Sequence, residues 1–597
     1  MSIVVNFAGA SLLVPGSYSS VEVAQAGVSS PALGVVAIIG ESDEGIPYSQ
    51  ETGLSAVSYG ADEFAAIVDK YVSGELVDAA KIAISPSNDP QILGGAQELV
   101  VMKTNSSVFA TLSLPQGSAA LGTLKAKRSG APGNQISASI AVVSGKAIIT
   151  LNRLDKGVSE ISSPLGSNPV LTIQCTDSVA SAATMTIASG MLTTTVTGGT
   201  TAPLSIDLTK FFTVSALASY IAAQPGYSAS PVSQKLGSLN PSVLDSVTAL
   251  SIKTAALIKK DAYEVSQFFS ASALVSYTPT LKSGLPTVMS KTFMSGGARG
   301  ATSQAAIQAC IDALLARRVN FIVPLFSRDA ASDIADGLTD SASNYDIHAT
   351  HAAIVSHVNQ ASTVKGRKER QGFVGFKDSV YDDVAEQSAN LSAARVQIAF
   401  QDIDVVSAST GLIALKQPHM LALISAAMKA SALVGLPNTF KQPSISGFYH
   451  PSFDPSTQAE KAISDNLLFV EKSPTGSFRF VLDNSTYSSN TDAWIYNRPS
   501  VLYAADTAAY SIRLNTEQFV GRRNSDVSEE SIKNLMIGVM DNLRTAGIIV
   551  ADNNTGGRGY KNLSVKINGS IVTINVTLAL VEGLEFILSD IKVQRAG

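Results

Sequence analysis

The first 21 residues constrain this chain most, because they carry no charged side chain. Gly9, Pro15 and Gly16 interrupt the segment, and apolar residues fill much of the remainder. Such a stretch predicts an extended, β-prone strand with too few residues to bury a core of its own. It therefore needs a partner surface. Its apolar positions are Ile3, Val4, Val5, Phe7, Leu12, Leu13 and Val14.

The C-terminal end of the chain also predicts a strand without a partner. Beyond Gly583, alternating apolar residues predict one more strand, and their phase slips at Ser589-Asp590, which indicates a bulge or a bend. This strand also lacks an obvious partner in its own sequence neighbourhood. Its apolar positions are Leu584, Phe586, Leu588, Ile591 and Val593.

A helix and a hairpin are predicted just before this last strand. The helix carries an apolar stripe from Ile532 to Leu543, and Gly547 ends it. Asp526 is expected to cap it, with Glu529 three residues later as the second member of a capping box. Asn568-Gly569 then predicts a tight turn between two alternating strands. The apolar positions of those strands include Val565, Ile567, Ile574, Val576 and Leu578.

The rest of the chain alternates between two patterns. Buried strands and helices before residue 104 and after residue 293 predict an α/β fold, whereas Thr, Ser, Gly and Val dominate between them and predict short strands. We therefore expect an α/β (α+β) multi-domain protein, in which a largely β insertion divides a mixed α/β core and extended β arms form both ends. The predicted divisions are an N-terminal arm (1–25), a first core segment (26–104), an insertion of one or two subdomains (105–292), a second core segment (293–580) and a C-terminal arm (581–597).

The amino-acid composition argues against some classes of function. Charged residues make up 15% of the chain, against roughly a quarter in ordinary soluble proteins, which suits a surface covered largely by other subunits. A net charge of −5 provides no electrostatic footprint for nucleic acid. The sequence has no recognisable secretory signal and no apolar run long enough to span a bilayer, so membrane insertion is not expected.

No motif in the sequence predicts a catalytic, cofactor or metal site. His348, His351 and His357 cluster, and the first two would share a helix face, yet the Glu of a zinc protease motif is missing. The acidic residues Asp382 and Asp383 have no motif partner that would mark them as acid/base groups. A structural role is the simpler interpretation for these residues.

Several segments, in their order along the chain, resemble the tail sheath family of contractile phage tails. They are Gly34 to Gly40, the Gly130-Ala-Pro-Gly133-Asn134 turn, Gly296 to Gly300, the stretch from Gln417-Pro418 to Pro437-Asn438, and Trp494 to Pro499. Together with the final helix and hairpin, the resemblance covers most of the chain.

The resemblance implies a structural subunit that polymerises as stacked six-subunit rings around a tail tube and contracts without a nucleotide. Implied partners are further copies of the chain, the tail tube protein, baseplate proteins and a tail terminator or neck protein, in a virion tail assembled in the host cytoplasm. The terminal strands would then join neighbouring copies, and the sheet expected to receive them is the hairpin at Val565, Ile567, Ile574, Val576 and Leu578.

Three alternatives stay open at this point. The chain could be the sheath of a related contractile injection system, such as a pyocin-like particle or a secretion system. An exported surface-layer or adhesin protein would share the Ser/Thr-rich β segments, although the missing signal counts against export. An enzyme with an α/β core is the third class, and no motif supports it.

Overall fold

The computed structural model describes residues 5–7, 10–12, 33–166, 168–488 and 494–585. Near the N-terminus, strands β1 (Val5–Phe7) and β2 (Ala10–Leu12) form an antiparallel pair. The predicted front strand therefore contains two short strands that pair with each other on either side of Gly9, one of the places where the sequence predicts an interruption.

The first section of the core contains three strands and two helices. One helix spans Phe64–Tyr71, and a second helix, Glu75–Ile84, follows it closely. The elements are β3 (Val35–Gly40), β4 (Ser58–Gly60), α1 (Phe64–Tyr71), α2 (Glu75–Ile84) and β5 (Glu98–Lys103).

The insertion is mainly β and holds two separate hydrophobic clusters. The cluster nearer the core joins strands from both ends of the insertion, and the distal cluster lies between Val170 and Ile258. The elements are β6 (Thr111–Gln116), β7 (Ala119–Ala126), β8 (Ile136–Val143), β9 (Lys146–Arg153), β10 (Val158–Ile161), β11 (Pro169–Cys175), β12 (Ala182–Ala188), β13 (Met191–Thr197), β14 (Ser205–Asp207), α3 (Val214–Ala222), β15 (Tyr227–Pro231), α4 (Gln234–Gly237), β16 (Val247–Ser251), β17 (Ala256–Lys259), α5 (Asp261–Ala271), β18 (Val275–Pro279) and β19 (Met289–Phe293).

The chain then returns to the core through a helix capped by Ser303, whose hydroxyl accepts a hydrogen bond from the Ala306 amide. The elements that follow are α6 (Gln304–Ala313), β20 (Phe321–Pro324), α7 (Ala330–Ala335), α8 (Ile347–Ala361), β21 (Gln371–Gly375), α9 (Tyr381–Leu391), β22 (Val396–Ala399), β23 (Asp402–Val406), β24 (Ile413–Lys416), α10 (Pro418–Ser431), β25 (Gly447–Tyr449), α11 (Pro455–Ser464), β26 (Val470–Lys472), β27 (Phe478–Phe480), α12 (Pro499–Thr516), α13 (Glu529–Thr545), β28 (Tyr560–Asn568) and β29 (Ile571–Leu578).

A six-stranded sheet in the order β22-β21-β20-β3-β5-β4 organises the core. All neighbouring strands are parallel except β4, which pairs antiparallel with β5 at one edge. Helices α2 and α10 pack on one face of the sheet, and α6, α8 and α9 pack on the other. Because β3 precedes the insertion and its neighbour β20 follows it, the core is discontinuous, and the predicted fold class is confirmed.

The loop after β3 fastens the insertion to the core. The buried Glu44 carboxylate lies 2.8 Å from Arg128 Nε and 3.3 Å from Arg153 Nη2, and both arginines belong to the insertion. Burial raises the pKa of Glu44 and outweighs the two arginines, which lower it. Gly130 permits this close approach, because a Cβ there would stand 2.0 Å from the Asp43 carbonyl oxygen.

Two of the segments that resemble the tail sheath family, the turn from Gly130 to Asn134 and the stretch from Gly296 to Gly300, contact each other at this junction. The Asn134 side chain donates to the Gly297 carbonyl at 2.8 Å and accepts from the Gly297 amide at 2.9 Å. The turn at the head of the insertion is thereby held against the segment that leaves it. The two ends of the insertion meet at one point of the core, so the core sheet can close across the interruption.

Candidate assembly interface

The C-terminal region of the described chain is a small α/β unit built on helix α13. Ile532, Met536, Val539, Met540 and Leu543 are buried along one stripe of the helix, as the sequence predicts. The predicted cap was wrong. Ser528 caps the helix together with Ser531, because their hydroxyls exchange hydrogen bonds with each other's backbone amides, whereas Asp526 belongs to a preceding short turn.

The predicted hairpin is confirmed as strands β28 and β29. Its two-residue loop is Gly569-Ser570, one position later than expected, because Asn568 still pairs with Ile571. The inner face of the hairpin packs towards α13. Of the residues predicted to form a receiving sheet, Val565 is buried, and Ile567, Ile574, Val576 and Leu578 are partly buried.

The outer edge of β29 is an open strand edge. The Ile567 amide donates to Glu529 Oε1 at 2.7 Å and so points away from β29. Ile567 and Val572, and likewise Val565 and Ile574, are therefore non-hydrogen-bonded pairs of the antiparallel ladder. It follows that Val572 and Ile574 direct their own amides and carbonyls away from β28. Among the described residues, no backbone hydrogen bond reaches these outward groups.

A groove of about 610 Å³ opens beside the turn of the hairpin. Its lining is mainly apolar and includes Phe519, Val527, Ile532, Val572 and Ile574. Val572 is 42% exposed, and Val520, which also lines the groove, is 82% exposed. The inner face of β29 is therefore only partly covered within the subunit.

The segment after the hairpin is anchored where it leaves this unit. The Val581 amide donates to the Ile548 carbonyl at 3.1 Å, and Arg498 Nη2 donates to Glu585 Oε2 at 2.9 Å. A Cβ at Gly583 would lie 2.4 Å from the Pro437 ring. Leu584 is 88% exposed.

Most of the predicted arm residues lie outside the described residues. Val5, Phe7 and Leu12 fall on β1 and β2, and Leu584 lies at the end of the anchored segment. The positions outside the description are Ile3, Val4, Leu13, Val14, Phe586, Leu588, Ile591 and Val593.

The chain aligns with a tail sheath protein over nearly its whole length. It is 26% identical to the tail sheath protein of Bacillus phage SP01 over 608 aligned positions, which cover 98% of this chain and 96% of that protein. No protein-family model matches. This chain is therefore similar to a phage tail sheath protein along nearly its whole length.

A solved sheath structure shares the fold. The sheath tail protein from Desulfitobacterium hafniense superposes with a TM-score of 0.51 at 12% identity, and the alignment covers 95% of this chain and all of that one. The sheath tail protein from Listeria innocua superposes with a TM-score of 0.47 at 14% identity, covering 92% and 93% of the two chains.

The clustered histidines have structural partners. His351 is fully buried on α8, where its Nε2 lies 3.1 Å from the Gly375 carbonyl and its Nδ1 lies 2.9 Å from the Gln387 amide. Burial lowers the pKa of His351 to about 3. His357 contacts the buried Arg370 guanidinium at 2.9 Å, and burial, with this cation, lowers its pKa to about 4. Within the described ranges, no group of ligand-type side chains could hold a metal ion.

A polar crevice of about 500 Å³ lies beyond the carboxyl ends of β3 and β20. In open α/β sheets such a position is where ligands bind. Here Lys416 Nζ lies 2.7 Å from both the Glu75 and Asp78 carboxylates, and His419 Nε2 lies 2.9 Å from Glu75. Burial would raise the pKa of Glu75, but His419 and Lys416 outweigh it and lower the pKa to about 2. Lys416 thus pairs with Glu75 and Asp78, and His419 also contacts Glu75, as in a structural ion-pair network.

No helix among the residues that the structure describes has the length and apolar character needed to cross a membrane.

Proposed function

We propose that this chain is the structural, non-enzymatic subunit of a contractile tail sheath. The alignment with a phage tail sheath protein over 98% of the chain carries the proposal. The open edge of β29 and the two terminal segments support it, because a polymer of identical subunits needs complementary surfaces on every copy.

In this proposal, the terminal segments of each copy add as strands to the hairpins of neighbouring copies. Strand addition relies on backbone hydrogen bonds and tolerates changes in the surrounding surface, so linked subunits can move relative to one another. Copies would stack as six-subunit rings around a tail tube, and the baseplate would release an extended lattice into a shorter one. Such a transition needs no nucleotide if the extended assembly is metastable.

The partners and location follow from the same proposal. The core would face the tail tube protein, the β insertion with its two hydrophobic clusters would face outward, and the ends of the polymer would meet baseplate proteins and a terminator or neck protein. Assembly would take place in the host cytoplasm and the product would reside in the virion tail. A related contractile injection system is the second candidate, because the same polymer would serve it.

Deleting residues 1 to 21 tests the role of the front segment. We expect a folded, soluble protein that no longer forms tubes in negative-stain electron microscopy, because the core sheet does not use this segment. Phe212→Ser is the matched control, since Phe212 is 90% exposed on the insertion and this variant is expected to form tubes. Normal tubes from the truncated chain would contradict the strand-linkage proposal, and flat sheets from the intact chain would favour a surface-layer protein.

A further inference from the structure

A basic loop, residues 363–368, follows helix α8 and leads towards strand β21. Lys365 and Arg367 are exposed there, and within the described ranges neither side chain has an ion pair or a hydrogen bond. Val364 beside them is 94% exposed. Only 15% of the residues in this chain are charged. Two unpartnered cations next to an exposed valine therefore mark this loop as a candidate contact surface.

The basic loop is held in a defined conformation. The Gly366 amide donates to the Thr363 hydroxyl at 3.0 Å, and a Cβ at Gly366 would lie 2.3 Å from the Ala361 carbonyl oxygen. Arg367 has a φ of 56°, in the left-handed region that residues other than glycine adopt at a cost. Because the backbone is already ordered, Lys365 and Arg367 can meet a partner with little further loss of backbone entropy.

An acidic face on α9 lies beyond the other end of β21. It consists of Asp382, Asp383 and Glu386, which are all exposed. Lys461 Nζ pairs with Asp382 at 2.7 Å, whereas no cation in the described part of the chain pairs with Asp383 or Glu386. Val380, which precedes the three acids, is 48% exposed. The acidic face thus matches the basic loop in composition and is opposite to it in charge.

Local helix electrostatics explains only part of this pattern. Acidic side chains in the first turn of a helix stabilise it through the helix dipole, which accounts for Asp382 and Asp383 on α9. Glu386 lies beyond that turn. Lys365 and Arg367 lie beyond the last residue of α8, so the dipole of that helix does not account for them either.

The sheet topology puts the basic loop and the acidic face at opposite rims of the core. Strand β21 is parallel to both of its neighbours, the basic loop precedes it and α9 follows it. Its five residues span about 16 Å, and the 15 residues of α8, which connect the two rims, span about 22 Å. An ion pair needs its atoms within about 4 Å. The two surfaces therefore cannot pair within one copy.

We infer that the basic loop of one copy contacts the acidic face of a second copy, with Lys365 and Arg367 facing Asp383 and Glu386. This inference rests on the proposed function and adds a contact that does not use the terminal segments. Because α8 and α9 pack on the same face of the sheet, a shift of one copy along the strands brings its basic loop over the acidic face of the next. Repeating a contact between two different surfaces gives an open polymer.

Charge reversal in the full-length protein tests this contact. The acidic variant combines Lys365→Glu with Arg367→Glu, and the basic variant combines Asp383→Lys with Glu386→Lys. All four positions are exposed, so both variants should fold, and thermal denaturation checks this. Sedimentation across a concentration series at low salt then measures the critical concentration for polymerisation.

Each variant alone should raise the critical concentration roughly tenfold, because two exposed ion pairs are replaced by like charges. The increase should shrink in about 1 M salt, where charges are screened over about 3 Å. The matched control combines Lys210→Glu with Lys235→Glu, two exposed residues of the insertion that change the net charge as the acidic variant does. Its critical concentration should equal that of the unmodified chain.

An equimolar mixture of the two variants tests whether the surfaces face each other in different copies. The acidic variant carries acids at both rims and the basic variant carries cations at both, so the mixture should polymerise near the unmodified critical concentration. A chain with all four reversals should do so as well. Failure of either one to recover would overturn the inference, and recovery of the four-reversal chain alone would place the contact within a single copy.

Failure of the proposed function itself would look different. In that case the unmodified chain and the insertion control would form no tubes in electron microscopy at any concentration. Tubes that form at the unmodified critical concentration in both reversed variants would leave the sheath assignment standing and refute the contact between the basic loop and the acidic face.

Discussion

Proline substitutions at adjacent positions of β29 should separate assembly from folding. The Val572 amide faces outward from the hairpin, whereas the Thr573 amide faces Lys566 inside it. Proline removes the amide hydrogen and is tolerated in a sheet only at an outward edge position. Val572→Pro should therefore leave the hairpin formed, and Thr573→Pro should open it.

The magnitudes follow from the groups affected. Thr573→Pro loses one ladder hydrogen bond, worth about 1 kcal/mol, and leaves its acceptor unpaired at a cost of about 1–3 kcal/mol. Val572→Pro spares the ladder and loses only some side-chain contact, since Val572 is 42% exposed, so about 1 kcal/mol is expected. In the polymer, Val572→Pro also removes a donor at the proposed contact, worth about 1–3 kcal/mol, which raises the critical concentration roughly 5- to 150-fold.

Two measurements distinguish the variants. Hydrogen exchange of the peptide containing β28 should stay slow in Val572→Pro and become fast in Thr573→Pro. Sedimentation across a concentration series should show the higher critical concentration for Val572→Pro. The reasoning would be refuted if Val572→Pro polymerised at the wild-type concentration while Ile567→Pro, at the outward amide of β28, did not.

Three further outcomes are expected. Met536→Ala should lower the unfolding free energy by about 3 kcal/mol in calorimetry, because loss of this fully buried side chain of α13 leaves a cavity. The control Lys533→Ala changes an exposed residue of the same helix and should alter the unfolding free energy little. Equal effects of the two substitutions would contradict the packing of α13. Burial holds the pKa of His351 near 3, below its value of about 6.5 in the unfolded chain. The free energy of unfolding that this histidine contributes is therefore fully present above pH 6.5. It falls below that pH as acid protonates His351 in the unfolded chain. His351 alone should cost about 2 kcal/mol between pH 7.5 and 5, and His351→Gln should flatten this acid slope in thermal denaturation. Arg498→Ala should speed hydrogen exchange at residues 582–585 with less than about 1 kcal/mol of global change, because the pair with Glu585 is partly exposed; unchanged exchange would show that Arg498 does not hold the segment.

Elements with strong local signals were predictable from the sequence. The stripe of α13, the end of that helix at Gly547 and the presence of a tight hairpin turn within one position of Asn568-Gly569 depend on neighbours within a few residues, so periodicity and turn chemistry reveal them. The errors were also local. The cap at Ser528 in place of Asp526 shows that two adjacent capping candidates compete, and only the final backbone conformation decides between them.

The candidate assembly interface was predictable only in outline. The need of residues 1–21 for a partner follows from their lack of charge and of core-forming length. The difference between the two hairpin edges does not follow from the sequence, because it depends on the contact between Glu529 and the Ile567 amide, which are 38 residues apart in the chain. No residue pattern within either strand contains that contact.

By itself, the sequence determined the types of most elements, the interruption of an α/β core by a β insertion, and the absence of recognisable catalytic motifs. Only the tertiary structure decided that β3 pairs with β20 across the whole insertion, and that Lys429 lies buried on α10 against Asp483. Burial lowers the pKa of Lys429, and the nearby Asp483 carboxylate counteracts this effect only in part. These outcomes depend on groups far apart in the chain, and their free energies arise only when the folded core brings them together.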